Sequence, residues 1–428
     1  MRAESRDTIF ALSSGALPAG IAVVRVSGPN AGQALERLAG SRPEPRRAVS
    51  ATLRWQGEML DRALILWLPG SGTATGEDIA EFHLHGGRAV VASVLDALGA
   101  QPGLRLAEPG EFTRRAFSNG KLDLAQAEGL ADLLAAETEA QRRQALRQAE
   151  GGLGKLVGGW RVRLLSLAAR VEAGIEFAED EDDVPELAPA ELAGIGELAT
   201  DMAATLAQPP AERLRDGVRI VVAGPTNAGK SSLINVLAGR EAAIASPVAG
   251  TTRDLIEIPV GIAGMPCLLI DSAGLREAGG HIEQIGMARA RAAIDSADLI
   301  LWLGPAAEAP DRDRAILVRT KADLGKAGGE EDVATSTVTG EGIDRLRALL
   351  EARVRTLLPP ADAIALNARH RERIGEAMAE LHAAESQQDI LFIAEHLRQA
   401  RVALDRITGR AGVEEMLDAL FGRFCVGK

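Results

Sequence analysis

The sequence contains little cysteine and no long apolar run. Cys267 and Cys425 are its two cysteines among 428 residues, too few for a disulfide framework or a structural zinc site. No stretch approaches the roughly 18 apolar residues of a membrane-spanning helix. The first ten residues carry four charged side chains and lack the apolar core of a signal peptide. These features predict a cytoplasmic protein that is neither secreted nor inserted in a membrane.

The chain also lacks the positive charge of a general nucleic-acid coat or of a membrane-surface protein. Its 48 Lys and Arg residues are outnumbered by 60 Asp and Glu residues, which gives a net charge of −12. Both excluded classes need a basic field over much of their surface, although a local basic patch is left open. The length and the 46% apolar content indicate a globular protein of two or three domains.

Two proline pairs divide the chain where helical periodicity stops. Pro209-Pro210 and Pro359-Pro360 bracket a segment of one-domain size, and proline disfavours the continuation of a helix. Between the pairs, short apolar runs alternate with helical stretches, a pattern typical of a mainly parallel α/β sheet. The predicted strands cover residues 218–223, 267–270, 299–303 and 316–318.

The segments on either side of this insertion have helical patterns. Apolar residues recur every three or four positions from Leu153 to Ile175 and again from Ile374 to Ile407. Such stripes must be buried, which favours one helical domain interrupted by the insertion; two separate bundles are the alternative. Residues 1–118, before these helical segments, mix β-like runs with Gly-rich turns, a pattern that predicts an α+β domain. The predicted segments are 1–118 (α+β), 119–215 (helical, first part), 216–358 (insertion) and 359–428 (helical, second part).

A phosphate-binding loop is the strongest local signal. Residues 224–231 (GPTNAGKS) follow the predicted strand 218–223 and match the pattern of strand, glycine-rich loop and helix. Backbone N–H groups of such a loop surround phosphates, the lysine reaches the β and γ oxygens, and the serine hydroxyl binds Mg²⁺. The predicted phosphate-site residues are Asn227, Ala228, Gly229, Lys230, Ser231 and Ser232.

Further motifs follow in the order found in Ras-like P-loop GTPases. Residues 250–254 (GTTRD) offer Thr252 to Mg²⁺ and the γ-phosphate, and 271–274 (DSAG) offer a carboxylate and an N–H group. Asp323, in 318–323 (VRTKAD), can accept both N1–H and N2–H of guanine, which adenine does not offer. The further predicted nucleotide contacts are Asp271, Ser272, Ala273, Gly274, Thr320, Lys321, Ala322, Asp323, Ser336, Thr337 and Val338.

Two positions depart from the usual GTPase motifs. Thr320 stands where asparagine is usual, so a base contact worth about 1 kcal/mol is expected to be lost and nucleotide binding to be weaker, with guanine selectivity kept. Leu275 stands where Ras-like enzymes hold a glutamine that orients the attacking water, and leucine cannot do so. The candidates to replace it are Glu283 and a monovalent cation held by Asn227; a solvated surface carboxylate is the alternative for Glu283.

With these residues in view, the chain resembles, from end to end, the MnmE (TrmE) family of bacterial and organellar tRNA-modification GTPases. The resemblance does not depend on the GTPase motifs, which many proteins share. It depends on seven short motifs: 7–9 (DTI), 24–28 (VRVSG), 75–78 (TGED), 83–87 (HLHGG), 107–113 (AEPGEFT), 119–127 (NGKLDLAQA) and 425–428 (CVGK).

The resemblance implies a GTPase domain inserted in a helical domain, behind an N-terminal domain that forms a homodimer and binds 5-formyltetrahydrofolate or a related tetrahydrofolate. The family's folate-site residues fall on Arg25, Glu81, Lys121 and Lys428. The cationic residues suit the carboxylates of the folate's glutamate tail. For Arg25 alone, a solvated charge at a strand edge is the alternative.

The resemblance also implies a potassium site. In the family K⁺ replaces an arginine finger when two GTPase domains face each other, and the family's water-positioning glutamate aligns with Glu283. The implied ligands are the side chains of Asn227 and Thr251 and the backbone carbonyls of Ser246 and Val248. The implied loop comprises Ser246, Pro247, Val248, Ala249, Gly250, Thr251 and Thr252.

The implied activity is tRNA modification. With an FAD-dependent MnmG-type partner, in a heterotetramer or larger complex, the family adds an aminomethyl or carboxymethylaminomethyl group to C5 of the wobble uridine of certain tRNAs. Cys425 is implied to be required for this modification and not for GTP hydrolysis. His83 and His85 are interpreted as structural, and Cys267 as a core residue.

Two other functions are alternatives to tRNA modification. A GTP-dependent ribosome assembly factor would carry a basic RNA-binding module after the insertion, where this chain has amphipathic helices. A folate enzyme regulated by GTP would turn over one-carbon units in residues 1–118 alone.

Several positions depart from the family pattern. They are Thr320, Ser272, Pro247, the stretch 73–75 without tyrosine, and a short segment 304–314.

Overall fold

The chain forms two compact units, and the first of them contains both the N-terminal and the C-terminal residues. The computed structural model describes residues 7–178, 189–241, 257–271, 291–325, 329–360, 363–411, 414–422, 424 and 426–427. One unit comprises Met1–Ala131 together with Thr408–Lys428, and the other comprises Asp132–Ile407. The last part of the predicted segment 359–428, from Thr408 onwards, packs with the N-terminal part of the chain, and the bounds of the four predicted segments stay predictions.

A six-stranded sheet forms the centre of the first unit. Its order is β3-β4-β5-β2-β1-β6, in which β1 and β6 are parallel and the other neighbours are antiparallel. The alternation of buried and exposed residues along β4 is that of a sheet with one covered face. The elements are β1 (Thr8–Leu12), β2 (Ala19–Ser27), α1 (Ala31–Ala39), β3 (Val49–Trp55), β4 (Glu58–Leu68), β5 (Ile79–Gly86), α2 (Arg88–Gly99), β6 (Leu104–Leu106), α3 (Glu111–Ser118) and α4 (Leu124–Ala135).

Helices α1 and α2 cover one face of this sheet with apolar side chains. Val24, Phe82, Leu35 and Leu98 belong to the resulting core and are fully buried or nearly so. The opposite face of the sheet carries exposed apolar residues, among them Ile21 at 64% and Leu64 at 41% exposure. Exposed apolar side chains on one sheet face are typical of a surface that another protein can cover.

The second unit contains helices from two parts of the chain, and the segment that forms the second sheet lies between these two parts in the sequence. Arg161, in the helix Gly152–Ala178, pairs with Asp405, in the helix Ile390–Thr408, at 2.8 Å. Arg371, in the helix Ala368–Glu385, donates at 2.6 Å to the carbonyl oxygen of Leu206, the last residue of the helix Pro189–Leu206. Helices from both sides of the insertion therefore pack together. These helices are α5 (Glu139–Ala149), α6 (Gly152–Ala178), α7 (Pro189–Leu206), α8 (Glu212–Asp216), α11 (Ala368–Glu385) and α12 (Ile390–Thr408).

The inserted sheet is mixed, with most neighbours parallel. Its order is β12-β11-β10-β7-β9-β8, and the β8–β9 hairpin is its antiparallel pair. The elements are β7 (Val218–Ala223), α9 (Lys230–Glu241), β8 (Glu257–Ile262), β9 (Met265–Asp271), β10 (Leu299–Trp302), β11 (Ala315–Arg319), β12 (Val333–Ala334) and α10 (Ile343–Leu357). The predicted combination of an α+β domain, a helical domain and an inserted P-loop domain with a mainly parallel sheet is confirmed.

The end of the chain packs against the N-terminal part of the chain, within the first unit. Phe421, on α13 (Glu414–Phe421), contacts Phe117 with ring centroids 6.4 Å apart. Val426 forms an antiparallel bridge with Pro109, and Ser13 Oγ donates to Gly427 O at 2.8 Å.

Every helix in the described parts of the chain falls short of the length and apolar character that crossing a bilayer demands.

Candidate nucleotide-binding site

The glycine-rich loop between β7 and α9 has the backbone shape that phosphate binding needs. Gly224 has φ +147°, and a Cβ there would lie 3.0 Å from the backbone of Leu303. Gly229 has φ +88° and Asn227 φ +62°, both in the left-handed region. Side chains rarely adopt such angles, so glycine allows the loop to fold back towards the start of the helix. Its N–H groups and the N-terminus of α9 form a site for an anion.

Lys230 is the first residue of α9 and lies under this loop. The residue is buried, with 6% exposure. The ammonium Nζ donates to Gly224 O at 3.1 Å and to Pro225 O at 2.8 Å. These bonds hold the charge at the mouth of the loop, where phosphate oxygens can compete for the same donors.

Ser231 and Asp271 meet at the neighbouring strand end. Ser231 Oγ donates to Asp271 Oδ2 at 2.8 Å. The contact arises because β9, which ends at Asp271, is parallel to β7, so that both strands end at the same edge of the sheet. A hydroxyl and a carboxylate oxygen are hard ligands of the kind that Mg²⁺ prefers, so this pair fits a magnesium site.

The loop that follows β11 lies against the phosphate-binding loop. Thr320 Oγ1 donates to Ala228 O at 2.5 Å, and Lys321 Nζ donates to Asn227 O at 2.9 Å. Asp323 is in a short 3-10 turn and is exposed. Its carboxylate is therefore accessible to a base placed beside the two loops.

The last predicted loop is tied to the same turn. Ala322 N donates to Thr335 O at 3.0 Å, which joins the Asp323 turn to the end of β12. Ser336 is buried, and its Oγ accepts from the backbone N–H groups of Val338 and Thr339. The Val338 side chain is 84% exposed, an apolar surface available to a ligand. Thr337 lies between them with intermediate exposure.

Two of the predicted folate-site residues meet on the partly exposed face of the first sheet. Arg25 donates to Glu81 through Nε at 3.0 Å, and its guanidinium also lies 5.9 Å from the centre of the Phe112 ring. His83 Nε2 lies 3.3 Å from the other Glu81 oxygen. Lys121 lies beside Gly76. The structure thus pairs Arg25 with Glu81 on neighbouring strands β2 and β5 and places Lys121 in the connection between α3 and α4.

An ionic cluster around the buried Arg115 in the first unit was not predicted. Arg115, 6% exposed, contacts Asp7 at 2.8 Å, Glu111 at 3.0 Å and Glu77 at 3.2 Å, and Arg105 contacts Asp7 and Glu111. Burial opposes ionisation of Asp7 and Glu111, but the arginines outweigh it and lower the pKa of both carboxyls. The available signal was that these residues flank or lie within the motifs at 7–9, 75–78 and 107–113.

Several predicted site residues lie outside the described parts of the chain. They include the proposed water-positioning glutamate, both switch segments, the reactive cysteine and the last folate-site lysine, and their roles stay predictions. These residues are Ser246, Pro247, Val248, Ala249, Gly250, Thr251, Thr252, Ser272, Ala273, Gly274, Glu283, Cys425 and Lys428.

Comparison with known proteins gives matches along nearly the whole chain. Residues 8–121 match the family model of the GTP-binding protein TrmE N-terminus, and residues 124–425 match that of the MnmE helical domain. A tRNA modification GTPase MnmE from Erythrobacter litoralis is 56% identical over 424 residues, covering 99% of this chain and 100% of that protein. Proteins of the same name from Rhizorhabdus wittichii and Novosphingobium aromaticivorans are 55% and 52% identical, covering 100% and 99% of this chain and 98% and 100% of theirs.

Proposed function

This chain belongs to the MnmE family of tRNA modification GTPases and is a GTP-hydrolysing enzyme, and on that premise we propose that its GTPase cycle serves modification of the wobble uridine in certain tRNAs. The modification adds an aminomethyl or carboxymethylaminomethyl group to C5 of that base. A folate one-carbon unit and an FAD-dependent partner of the MnmG type take part. The observation that carries the GTPase half is the meeting of Lys230, Ser231 and Asp271 at one edge of the inserted sheet.

In this proposal the chain positions and neutralises the phosphates. The loop N–H groups hold the β-phosphate, and Lys230 turns its ammonium from Gly224 O and Pro225 O to the β and γ oxygens. Ser231 and Asp271 would hold Mg²⁺, directly and through water, with Thr252. The metal supplies charge neutralisation at the γ-phosphate. The N–H group of Gly274, with Ala273 and Ser272 beside it in the sequence, is proposed to bind that phosphate.

Guanine is proposed to be read by Asp323. The carboxylate can accept two N–H groups from guanine, N1–H and N2–H, whereas adenine has an acceptor at N1 and no amine at C2 and so offers neither donor. Lys321 and Ala322 hold the turn through Asn227 O and Thr335 O, and Ser336 to Val338 close the other side. Selectivity for GTP over ATP is the expected result.

Potassium is proposed to supply the charge that no arginine supplies. Asn227 is exposed on the phosphate-binding loop, and its side-chain carbonyl is a suitable ligand beside the phosphates. Thr251, Ser246 and Val248 would complete the site, and Glu283 would orient the water. We expect GTP hydrolysis by the full-length protein to be faster in KCl than in NaCl by about tenfold or more, since an added cation at the transition state acts like an arginine finger.

The measurement is steady-state GTP and ATP hydrolysis in the two salts at matched ionic strength. Asn227→Ala is expected to abolish the difference between the salts. Equal rates of the wild type in KCl and NaCl would remove the potassium site from the mechanism. Equal rates with GTP and ATP would instead count against Asp323.

The N-terminal unit is proposed to bind a tetrahydrofolate and to form a homodimer. The Arg25–Glu81 pair, with side-chain exposures of 28% and 15%, is accessible on the sheet face that α1 and α2 leave uncovered. Arg25, Lys121 and Lys428 would pair with folate carboxylates. Ile21 and Leu64 on the same face give a second copy apolar surface to bury.

Cys425 is proposed to act in the modification and not in GTP hydrolysis. Its neighbours Val426 and Gly427 contact Pro109 and Ser13 within the first unit, whereas Lys230, Ser231 and Asp271 belong to the second unit. We expect Cys425→Ser to keep the K⁺-stimulated GTPase rate within twofold and to remove the modified wobble nucleoside, measured by mass spectrometry of tRNA from a complemented deletion strain.

A strain carrying Cys425→Ala serves as the second variant, because it removes sulfur without adding a hydroxyl. Unchanged modified-nucleoside levels in both strains would exclude an essential thiol. Loss of GTPase activity in both would show that the C-terminal residues act on the GTPase domain.

A further inference from the structure

Thr320 contacts the phosphate-binding loop. Its Oγ1 is 2.5 Å from Ala228 O, and since a carbonyl oxygen only accepts, the hydroxyl is the donor. An added Cβ on Gly229 would meet the same hydroxyl at 3.5 Å. Together with the bond from Lys321 Nζ to Asn227 O, the contact ties two consecutive carbonyls of this loop to the loop that follows β11.

The number of donors on this side chain limits what else it can do. A threonine hydroxyl carries one hydrogen, and Ala228 O uses it. Guanine presents N7 and O6, both acceptors, on the edge away from the groups that Asp323 would bind. Thr320 therefore has no donor left for that edge. An amide side chain has two N–H groups and could serve the carbonyl and the base together.

We infer that Thr320 is a positioning residue that ties the phosphate-binding loop and makes no hydrogen bond to guanine N7. This assignment rests on the proposed function, because it presumes a guanine nucleotide in this site. Base selectivity then comes from Asp323 and its neighbours, and GTP and 7-deaza-GTP, which lacks N7, bind the protein equally well. Affinity depends on Thr320 through the shape of the loop.

The test is equilibrium and stopped-flow binding of GTP and 7-deaza-GTP to the full-length protein. We expect wild-type Kd values within threefold of each other. In Thr320→Asn the second N–H group becomes available, and GTP is expected to bind about fivefold more tightly than 7-deaza-GTP. Thr320→Val removes the tie and weakens both nucleotides about fivefold through faster release, and Thr320→Ser restores both.

Thr356→Val is the matched control. Thr356 Oγ1 also donates to a backbone carbonyl, that of Arg353 at 2.8 Å, but on an exposed turn of α10, so its loss is expected to change neither Kd. A wild-type preference for GTP of threefold or more overturns the inference, even if the valine variant fails to fold. Selective loss of GTP binding in Thr320→Val, or no discrimination in Thr320→Asn, also overturns it. Failure of the wild type to bind either nucleotide would instead refute the proposed function.

Discussion

Replacing Lys230 with methionine is expected to lower kcat for GTP hydrolysis by about 10²–10³-fold. The side chain is 6% exposed, and its ammonium already lies at the mouth of the loop on Gly224 O and Pro225 O. A preorganised cation there needs little rearrangement to meet the charge that develops on the phosphate oxygens. Methionine keeps the apolar stem and removes only the charge and the donors. Single-turnover hydrolysis at saturating GTP, in K⁺ and Mg²⁺, measures the effect.

Lys155→Met on α6 is the control, because Lys155 is an exposed lysine on a helix of the same unit. Its rate is expected to match that of the wild type. If Lys230→Met retains kcat within tenfold of the wild type and both variants unfold at the wild-type temperature, Lys230 does not stabilise the transition state.

The nucleotide site could be predicted from the sequence where its information is local. The loop 224–231 follows a buried strand and precedes a helix, and the short, continuous apolar runs at 218–223 and 267–270 predict strands. Gly224 and Gly229 have positive φ angles, which only a few residue types adopt readily. The chemistry of lysine and serine at fixed spacing then limits the ligand to a phosphate with a metal.

The contacts that complete these sites join residues far apart in the chain, and no local pattern specifies them. Ser231 and Asp271 are 40 residues apart, Thr320 and Ala228 are 92 apart, and Arg115 and Asp7 are 108 apart. The same holds for the return of Thr408–Lys428 to the first unit. Helical periodicity indicated which faces of these helices are buried, but it does not identify the partner that buries them.

Replacing Arg115 with methionine is expected to destabilise the first unit by about 3 kcal/mol. The guanidinium is buried and neutralises Asp7, Glu77 and Glu111. Without it, Asp7 and Glu111 are left with Arg105 as their described ionic partner, and Glu77 loses its ion pair with Arg115. Breaking a buried charge network costs more than the network contributes. The estimate is at the low end of the usual range because the Asp7 side chain is 35% exposed.

Hydrogen exchange of the full-length protein, followed by mass spectrometry on peptides from β1 and α3, measures this loss. About 3 kcal/mol corresponds to roughly 100-fold faster exchange through opening of the unit. Arg142→Met on α5 is the control, because Arg142 forms exposed ion pairs with Glu139, and exchange in β1, α3 and α5 is expected to stay the same. Exchange in β1 and α3 that Arg115→Met leaves unchanged would show that the cluster does not hold the unit together.

The pH dependence gives an independent test of the same cluster. The folded-state pKa values of Asp7 and Glu111 lie below their ordinary values of 3.8 and 4.5. Their ionic contribution is therefore present above those ordinary values and is lost as the pH falls through the lower folded-state values. The difference in stability between wild type and Arg115→Met should be largest near neutrality and narrow as the pH falls below about 4.5. A gap that stays constant down to about pH 3 would mean that Arg115 stabilises the unit by packing rather than by charge.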